Sequence, residues 1–188
     1  MAISRIETNS IAPSQTLTTP IIATTMGVGG ATPSGSGSGI TFPATQSAST
    51  DANTLDDYEE GTFTPTATFA SNNTGVTFNN RSATYTKVGN VVTCTINIFF
   101  SALGSASGSL TVAGLPFVSQ GNSYAARCIG SAFLDRSTNG YVILDGGGTS
   151  SLTIQTIPNS TASSAAVFTQ ANLSNTSYIN ITISYQTT

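Results

Sequence analysis

From about residue 62 to its C-terminus, the chain alternates apolar and polar residues in short runs, and this period of two predicts a succession of β-strands. In the last run, Ile179, Ile181 and Ile183 are each followed by a polar residue. Turn-forming pairs such as Gly89-Asn90 and Asn139-Gly140 separate the runs, and no helical period is present. The pattern predicts an all-β head, either an antiparallel β-sandwich or a jelly-roll-like domain.

Residues 1–50 differ in composition and are predicted to form an extended N-terminal arm. Prolines occur among Ser, Thr and Gly, and proline excludes helix interiors and biases the preceding residue toward extended backbone. Short apolar clusters recur, which a solvated linker would not need, so we expect the arm to dock on other chains; the alternative is a disordered tail. The candidate anchoring residues are Ile3, Ile6, Ile11, Leu17, Ile21 and Ile22.

An acidic segment, residues 51–61, separates the arm from the head. Five of the eight acidic residues of the chain lie here: Asp51, Asp56, Asp57, Glu59 and Glu60. Asp51 or Thr54 would cap a single helical turn that runs to Glu60 and ends at Gly61. The alternative is a solvated, charged hinge. The predicted organisation is therefore an arm (1–50), an acidic hinge (51–61) and a β head (62–188).

Charge is scarce throughout the chain. Charged residues make up 7% of it, against about 25% in an ordinary soluble domain, so we expect sister chains to cover part of the surface. The five basic residues are scattered, which argues against nucleic-acid binding and against polybasic attraction to membranes. No apolar run is long enough for membrane insertion or for a signal peptide. We therefore expect the protein to be made and kept in a cytoplasm.

The two cysteines, Cys94 and Cys128, each lie in a segment of alternating apolar residues. We interpret both as small, reduced core residues, and a disulfide would require their two strands to face each other. Their spacing matches no metal-binding motif, and we predict neither a metal nor a cofactor.

Catalysis is not expected. The chain has no histidine, which removes Ser-His-Asp and Cys-His chemistry. Asp135 and Asp145 are the only acids of the head, on neighbouring predicted turns, where they would have to meet in a cleft to cleave a glycoside or to bind a cation between subunits. We predict that the protein is not an enzyme.

Residues 39–66, GITFPATQSASTDANTLDDYEEGTFTPT, closely resemble a junction found in tail-fibre and related virion proteins of tailed bacteriophages. Phe63 stands where that family usually has Trp. Downstream, residues 85–89 (YTKVG) and 114–117 (GLPF) are similar to a hairpin and a turn of the family. The resemblance implies a homotrimeric virion fibre without catalytic residues, assembled in the host cytoplasm and freed by lysis. The apolar residues of the arm would then anchor it to other virion proteins.

Two functions remain open for such a fibre. In the first, a short fibre attaches to a glycan or protein of the host surface through loops of the head. The candidate receptor-binding residues, with carboxylates, amides and a ring suited to sugars, are Asp135, Arg136, Asn139, Tyr141 and Asp145. In the second, the arm docks on the capsid, and the protein is a capsid decoration or head fibre; the short arm favours this alternative.

Overall fold

The computed structural model describes residues 25–121, 128–134, 140–144, 148–156 and 166–187. The chain divides into two compact units, Met1–Thr45 and Gln46–Thr188. Apart from one 3-10 turn, Gln170–Asn172, every regular element in these ranges is a β-strand. The all-β prediction is therefore confirmed, while the predicted domain limits at residues 50 and 61 stay predictions.

The described part of the first unit contains two short parallel strands, β1 (Thr25–Gly27) and β2 (Gly39–Thr41). The amide of Val28 donates to the carbonyl of Thr41 at 3.0 Å and continues the pairing beyond β1. Met26 and Ile40 are partners in the register, and both side chains are exposed. The pair therefore has an apolar surface that the described residues of this unit leave open to solvent.

The described residues of the second unit form a sheet of ten strands. Their bounds are β3 (Tyr58–Phe63), β4 (Thr66–Phe69), β5 (Thr77–Val88), β6 (Val91–Ala102), β7 (Leu110–Ala113), β8 (Cys128–Leu134), β9 (Gly140–Leu144), β10 (Ser151–Thr156), β11 (Ala166–Val167) and β12 (Tyr178–Gln186). The order across the sheet is β3-β5-β6-β12-β8-β9-β10-β7-β4, and β11 also pairs with β10. All of these pairs are antiparallel.

The two ends of this strand order are neighbours along the chain. β3 and β4 are the edge strands, and only Thr64 and Pro65 separate them. Because proline cannot donate a ladder hydrogen bond, its place between two edge strands leaves no ladder bond of the sheet interrupted. The antiparallel part of the predicted fold is confirmed, and the jelly-roll arrangement stays a prediction.

The core follows from the period of two in the longest strands. In β6, every second residue from Val92 to Phe100 is buried, and in β12 every second residue from Ile179 to Tyr185 is buried. Phe69 of β4 lies against Phe100, with ring centroids 6.1 Å apart, so the far end of the strand order closes over β6. Burying an aliphatic side chain contributes about 1.5–3 kcal/mol, so these two rows are a large part of the apolar burial that stabilises the unit.

The hairpin predicted at Gly89-Asn90 is present. Val88 and Val91 pair across it, and Gly89 has a φ of 56°, which glycine adopts without strain. β8 and β9 pair as the second predicted hairpin requires, although Asn139 of its turn lies outside the described residues.

The acidic segment does not form the helical turn that its caps suggested. Asn53 and Thr54 donate their amides to the side chain and carbonyl of Asp51, which closes a tight turn, and the chain is extended from Tyr58 onward as β3. The interpretation as a solvated hinge is also wrong for Asp57, which is buried. Pairing with β5 decides the outcome, because it holds Glu59 and Glu60 in a strand.

Cys94 is a free, fully buried thiol of the core, as predicted. Burial raises its pKa to about 11, which keeps the thiol protonated and unreactive at neutral pH. β12 lies between β6, which carries Cys94, and β8, which begins at Cys128. Two strand spacings amount to about 10 Å, beyond the roughly 7 Å limit between the Cα atoms of a disulfide.

Candidate functional site

The outward surface of β5, β6, β12 and β8 is a continuous face without a charged side chain. Successive side chains of a strand point to opposite sides of the sheet, so every second residue of these strands lies in the core and the residues between them lie on the outward surface. We call it the neutral face; its members are Ser82, Thr84, Thr86, Thr93, Thr95, Asn97, Phe99, Ser131, Phe133, Tyr178, Asn180, Thr182 and Ser184. A face of hydroxyl, amide and aromatic groups can recognise a ligand by hydrogen bonds and stacking, without ion pairs.

Its two ends differ chemically. At the end near the Gly89-Asn90 turn, hydroxyls line up across the strands, and the Oγ atoms of Thr93 and Ser184 lie 2.8 Å apart. At the other end, asparagines and aromatic rings replace the hydroxyls. Asn97 faces Asn180 across β6 and β12, and one step along, Phe99 faces Tyr178.

This second end contains a shallow groove of about 360 Å³, which we call the amide groove. It is lined by Asn80, Ser82, Asn97, Ile98, Phe99, Tyr178 and Asn180. Phe133 of β8 stacks on Tyr178, with ring centroids 5.6 Å apart and 30° between the planes, and extends the aromatic surface. Polar groups that converge beside aromatic rings are the usual composition of a small-molecule site.

The hydrogen-bonding capacity of the amide groove is largely unused. Asn80 donates to the hydroxyl of Ser82 at 3.0 Å. The side-chain amides of Asn97 and Asn180 have no hydrogen-bond partner among the described residues. Two asparagines side by side can therefore offer both donors and acceptors to a bound molecule.

Arg81 lies in the same strand as the groove residues, but its charge is on the other side of the sheet. Its guanidinium lies 4.4 Å from the centroid of the Phe78 ring, and its Nη1 donates to the carbonyl of Pro65 at 3.4 Å. The electrostatic character of the amide groove is consequently that of neutral dipoles.

The acids that follow the arm form a second cluster, and it is structural. Lys87 and Asp57 make a salt bridge in which they are only 3% and 5% exposed, and Lys87 Nζ also donates to Gln46 Oε1 at 3.1 Å. Asp56 accepts hydrogen bonds from the amide of Ser49 at 2.8 Å and from Gln46, and the bond from Ser49 lowers the pKa of its carboxyl. The bonds of Gln46 and Asp57 to Lys87 hold residues 46–57 against β5.

The next acid of the cluster, Glu59, accepts a hydrogen bond from the phenol of Tyr85. This bond raises the pKa of Tyr85 to about 12. Gly61 lies under the same ring, and a Cβ at this position would come within 2.8 Å of it. The glycine that follows the two glutamates therefore makes room for the tyrosine across the strand pair.

The residues that the sequence nominated for a site lie mostly outside the described ranges. This holds for Asp135, Arg136, Asn139 and Asp145, and for the anchoring residues, all of which precede Thr25. Tyr141 is in β9, where its backbone faces Ser131 and Gln155, but the position of its side chain is not described.

Sequence reasoning did not nominate Asn97, Phe99, Tyr178 or Asn180 as residues of a site. A signal was present, because asparagine is depleted in strands, and Asn80, Asn97 and Asn180 all interrupt strand runs. Among the described residues, no group of acidic or cysteine side chains is placed to hold a metal ion, and no helix there is long and apolar enough to cross a membrane.

Comparison with known proteins gives one structural likeness. No protein-family model matches the chain, and no curated protein gives a significant match. The fold is similar to the crystal structure of Dettilon tailspike protein (gp208), with a TM-score of 0.52 and 16% sequence identity over 69% of this chain. The match covers 24% of the tailspike chain, so the matched part of this chain corresponds to about a quarter of that protein. The likeness places the fold among those that occur in phage tailspikes.

Proposed function

We propose that this chain is a structural protein of a tailed-phage virion. In this proposal it forms a short homotrimeric fibre, its arm binds other virion proteins, and its β head attaches to a glycan or protein of the host surface. The observation that carries the proposal is the antiparallel all-β fold of the larger unit, which is similar to part of a phage tailspike. The resemblance of residues 39–66 to a fibre junction supports it.

The described part of the first unit supports assembly from several copies. β1 and β2 have three residues each, and a two-stranded sheet of this size is not stable alone in water. Met26 and Ile40 are exposed side by side on it. Equivalent strands of two sister chains would cover these side chains around a threefold axis, which is why we propose a homotrimer rather than a monomer.

We also propose that the protein has no enzymatic activity. The described carboxylates of β3 and of the residue before it make structural bonds: Asp57 with Lys87, Glu59 with Tyr85 and Glu60 with Tyr58. Glycoside cleavage requires a pair of carboxylates free to act on the substrate. Turnover of a host polysaccharide by the purified protein would contradict this part of the proposal.

The test has two steps. Native mass spectrometry of the purified full chain should give a species of three times the 19.1 kDa chain mass, and a monomer at micromolar concentration would refute the trimer. Gold-labelled antibodies against the head should then decorate one end of the virion tail in electron micrographs. Label distributed around the capsid would instead establish the capsid-decoration alternative, and unlabelled particles would refute a virion role.

A further inference from the structure

We propose that the amide groove is a binding site for an uncharged oligosaccharide. This inference rests on the proposed function in one respect, since it takes the ligand from the host surface. It goes beyond that function in naming the class of ligand and the site, which lies on a sheet face rather than in the loops that the sequence suggested.

The polar lining of the groove suits sugar hydroxyls. Each hydroxyl both donates and accepts, and adjacent hydroxyls of a ring need donors and acceptors side by side. Asn97 and Asn180 are direct cross-strand partners and supply that combination with no competing bond inside the described part of the protein. Both are carried by long central strands, so the amides are positioned before the ligand arrives, which lowers the entropy lost on binding.

The aromatic lining suits the apolar face of a sugar ring. Phe99, Tyr178 and Phe133 are 37%, 39% and 52% exposed, and the last two are stacked. Exposed rings that lie side by side on a sheet provide a platform for C–H groups, and such rings would otherwise be costly to leave in water.

The lack of charge selects among ligands. An acidic glycan would require a cation, but none of the described residues that line the groove is charged, and the guanidinium of Arg81 in the same strand packs against the Phe78 ring. The groove volume of about 360 Å³ falls within the range of about 300–1,000 Å³ that is usual for small-ligand sites. A neutral oligosaccharide matches the groove in polarity, charge and size.

A second copy of the chain fits this end of the face less well. A protein surface that covered Asn97 and Asn180 would have to satisfy both amides or leave them buried without partners. Sugar hydroxyls satisfy them in any of several orientations. The exposed apolar residues of the first unit provide a separate place for contacts between copies.

The experiment is a binding measurement on the full-length protein in its native oligomeric state. The probe is an array of neutral oligosaccharides of hexoses and N-acetylhexosamines, with sialylated and uronic-acid-containing oligosaccharides beside them. The strongest neutral binder is then titrated by isothermal calorimetry against the wild type and against Asn97→Ala/Asn180→Ala. Loss of two neutral hydrogen bonds should weaken binding about tenfold or more.

The matched control is Thr95→Ala/Thr182→Ala. These residues are also cross-strand partners on the neutral face, two positions along the same strands, but outside the groove. This variant should bind within about twofold of the wild type, and circular dichroism should show the same β spectrum for all three proteins. A Phe99→Ala variant, which removes one wall of the groove, should also lose affinity.

Three results would overturn the inference: no binding to any neutral oligosaccharide, binding to acidic oligosaccharides alone, or equal loss of affinity in the threonine control. Protection of the groove by a sister chain would give the first of these. None of them bears on whether the protein is a virion fibre, because particle labelling tests that separately.

Discussion

The two faces of the sheet formed by β5, β6, β12 and β8 come from the same strands and differ in almost every property. The inward face is dense and aliphatic, with Ile96, Ile98 and Ile181 almost completely buried. The outward face carries hydroxyls at one end and amides with aromatic rings at the other. Successive residues of one strand thus have opposite environments: one side chain is packed in the core, and the next is a polar or aromatic group on the outward face. The loss of stability that a substitution causes should therefore depend more on which side of the sheet the residue faces than on the strand to which it belongs.

The inward side of the sheet is mainly apolar, but it also contains the buried ion pair of Lys87 and Asp57. Removal of one partner leaves a buried charge without compensation, so Asp57→Ala should lower the free energy of unfolding by about 3–5 kcal/mol. Urea denaturation followed by circular dichroism measures this. The control is Glu60→Ala in β3, three residues after Asp57, whose exposed carboxylate should contribute no more than about 0.5 kcal/mol.

A double variant sharpens this comparison. Asp57→Leu/Lys87→Met replaces both charges with apolar groups of similar size and should recover most of the stability that Asp57→Ala loses. If Asp57→Ala is as stable as Glu60→Ala, the pair does not hold residues 46–57 to the sheet, and our account of the junction is wrong.

The contrast between the faces is tested most directly at neighbouring residues. Ile181 is buried at the centre of β12, and Ile181→Ala should cost about 2–5 kcal/mol because it removes packed methyl groups and leaves a cavity. Thr182 is exposed on the neutral face, and Thr182→Ala should change stability by no more than about 0.5 kcal/mol. Equal effects of the two substitutions in thermal or urea denaturation would show that the outward face is covered in the native assembly.

The smallest expected effect is a dependence on alkaline pH at Tyr85. Its pKa is raised from 10.0 to about 12, chiefly by the hydrogen bond to Glu59, so the folded state favours the protonated phenol. The stabilisation is complete below pH 10 and is lost as the pH rises through 12. In Tyr85→Phe, the free energy of unfolding should fall less steeply across this window than in the wild type. Parallel curves for the two proteins would mean that the Tyr85–Glu59 bond does not contribute.

Much of the local structure was predictable from short-range patterns in the sequence. The alternation in β6 and β12, the Gly89-Asn90 hairpin and the buried thiol of Cys94 all follow from short-range patterns, because the side-chain period of a strand is two and a two-residue turn has a narrow choice of residues. The acidic junction was not predictable in this way. The partners of Asp57 and Glu59 are on β5, 30 and 26 residues away, and helical capping signals cannot anticipate a salt bridge across a sheet.

The residues of the amide groove were also predictable only in part from the sequence. Asn97 and Asn180 are each visible in the sequence as a polar interruption of an apolar strand, but they are 83 positions apart, and no local rule pairs them. Only the order β5-β6-β12-β8 brings Ser82, Asn97, Asn180 and Phe133 into one row. Residue identity by itself determined that the chain forms strands with one apolar and one uncharged face, since burial and period are local properties. Which strands became neighbours, and so which side chains share a surface, was decided by tertiary pairing, because backbone hydrogen bonds between strands are indifferent to distance along the chain.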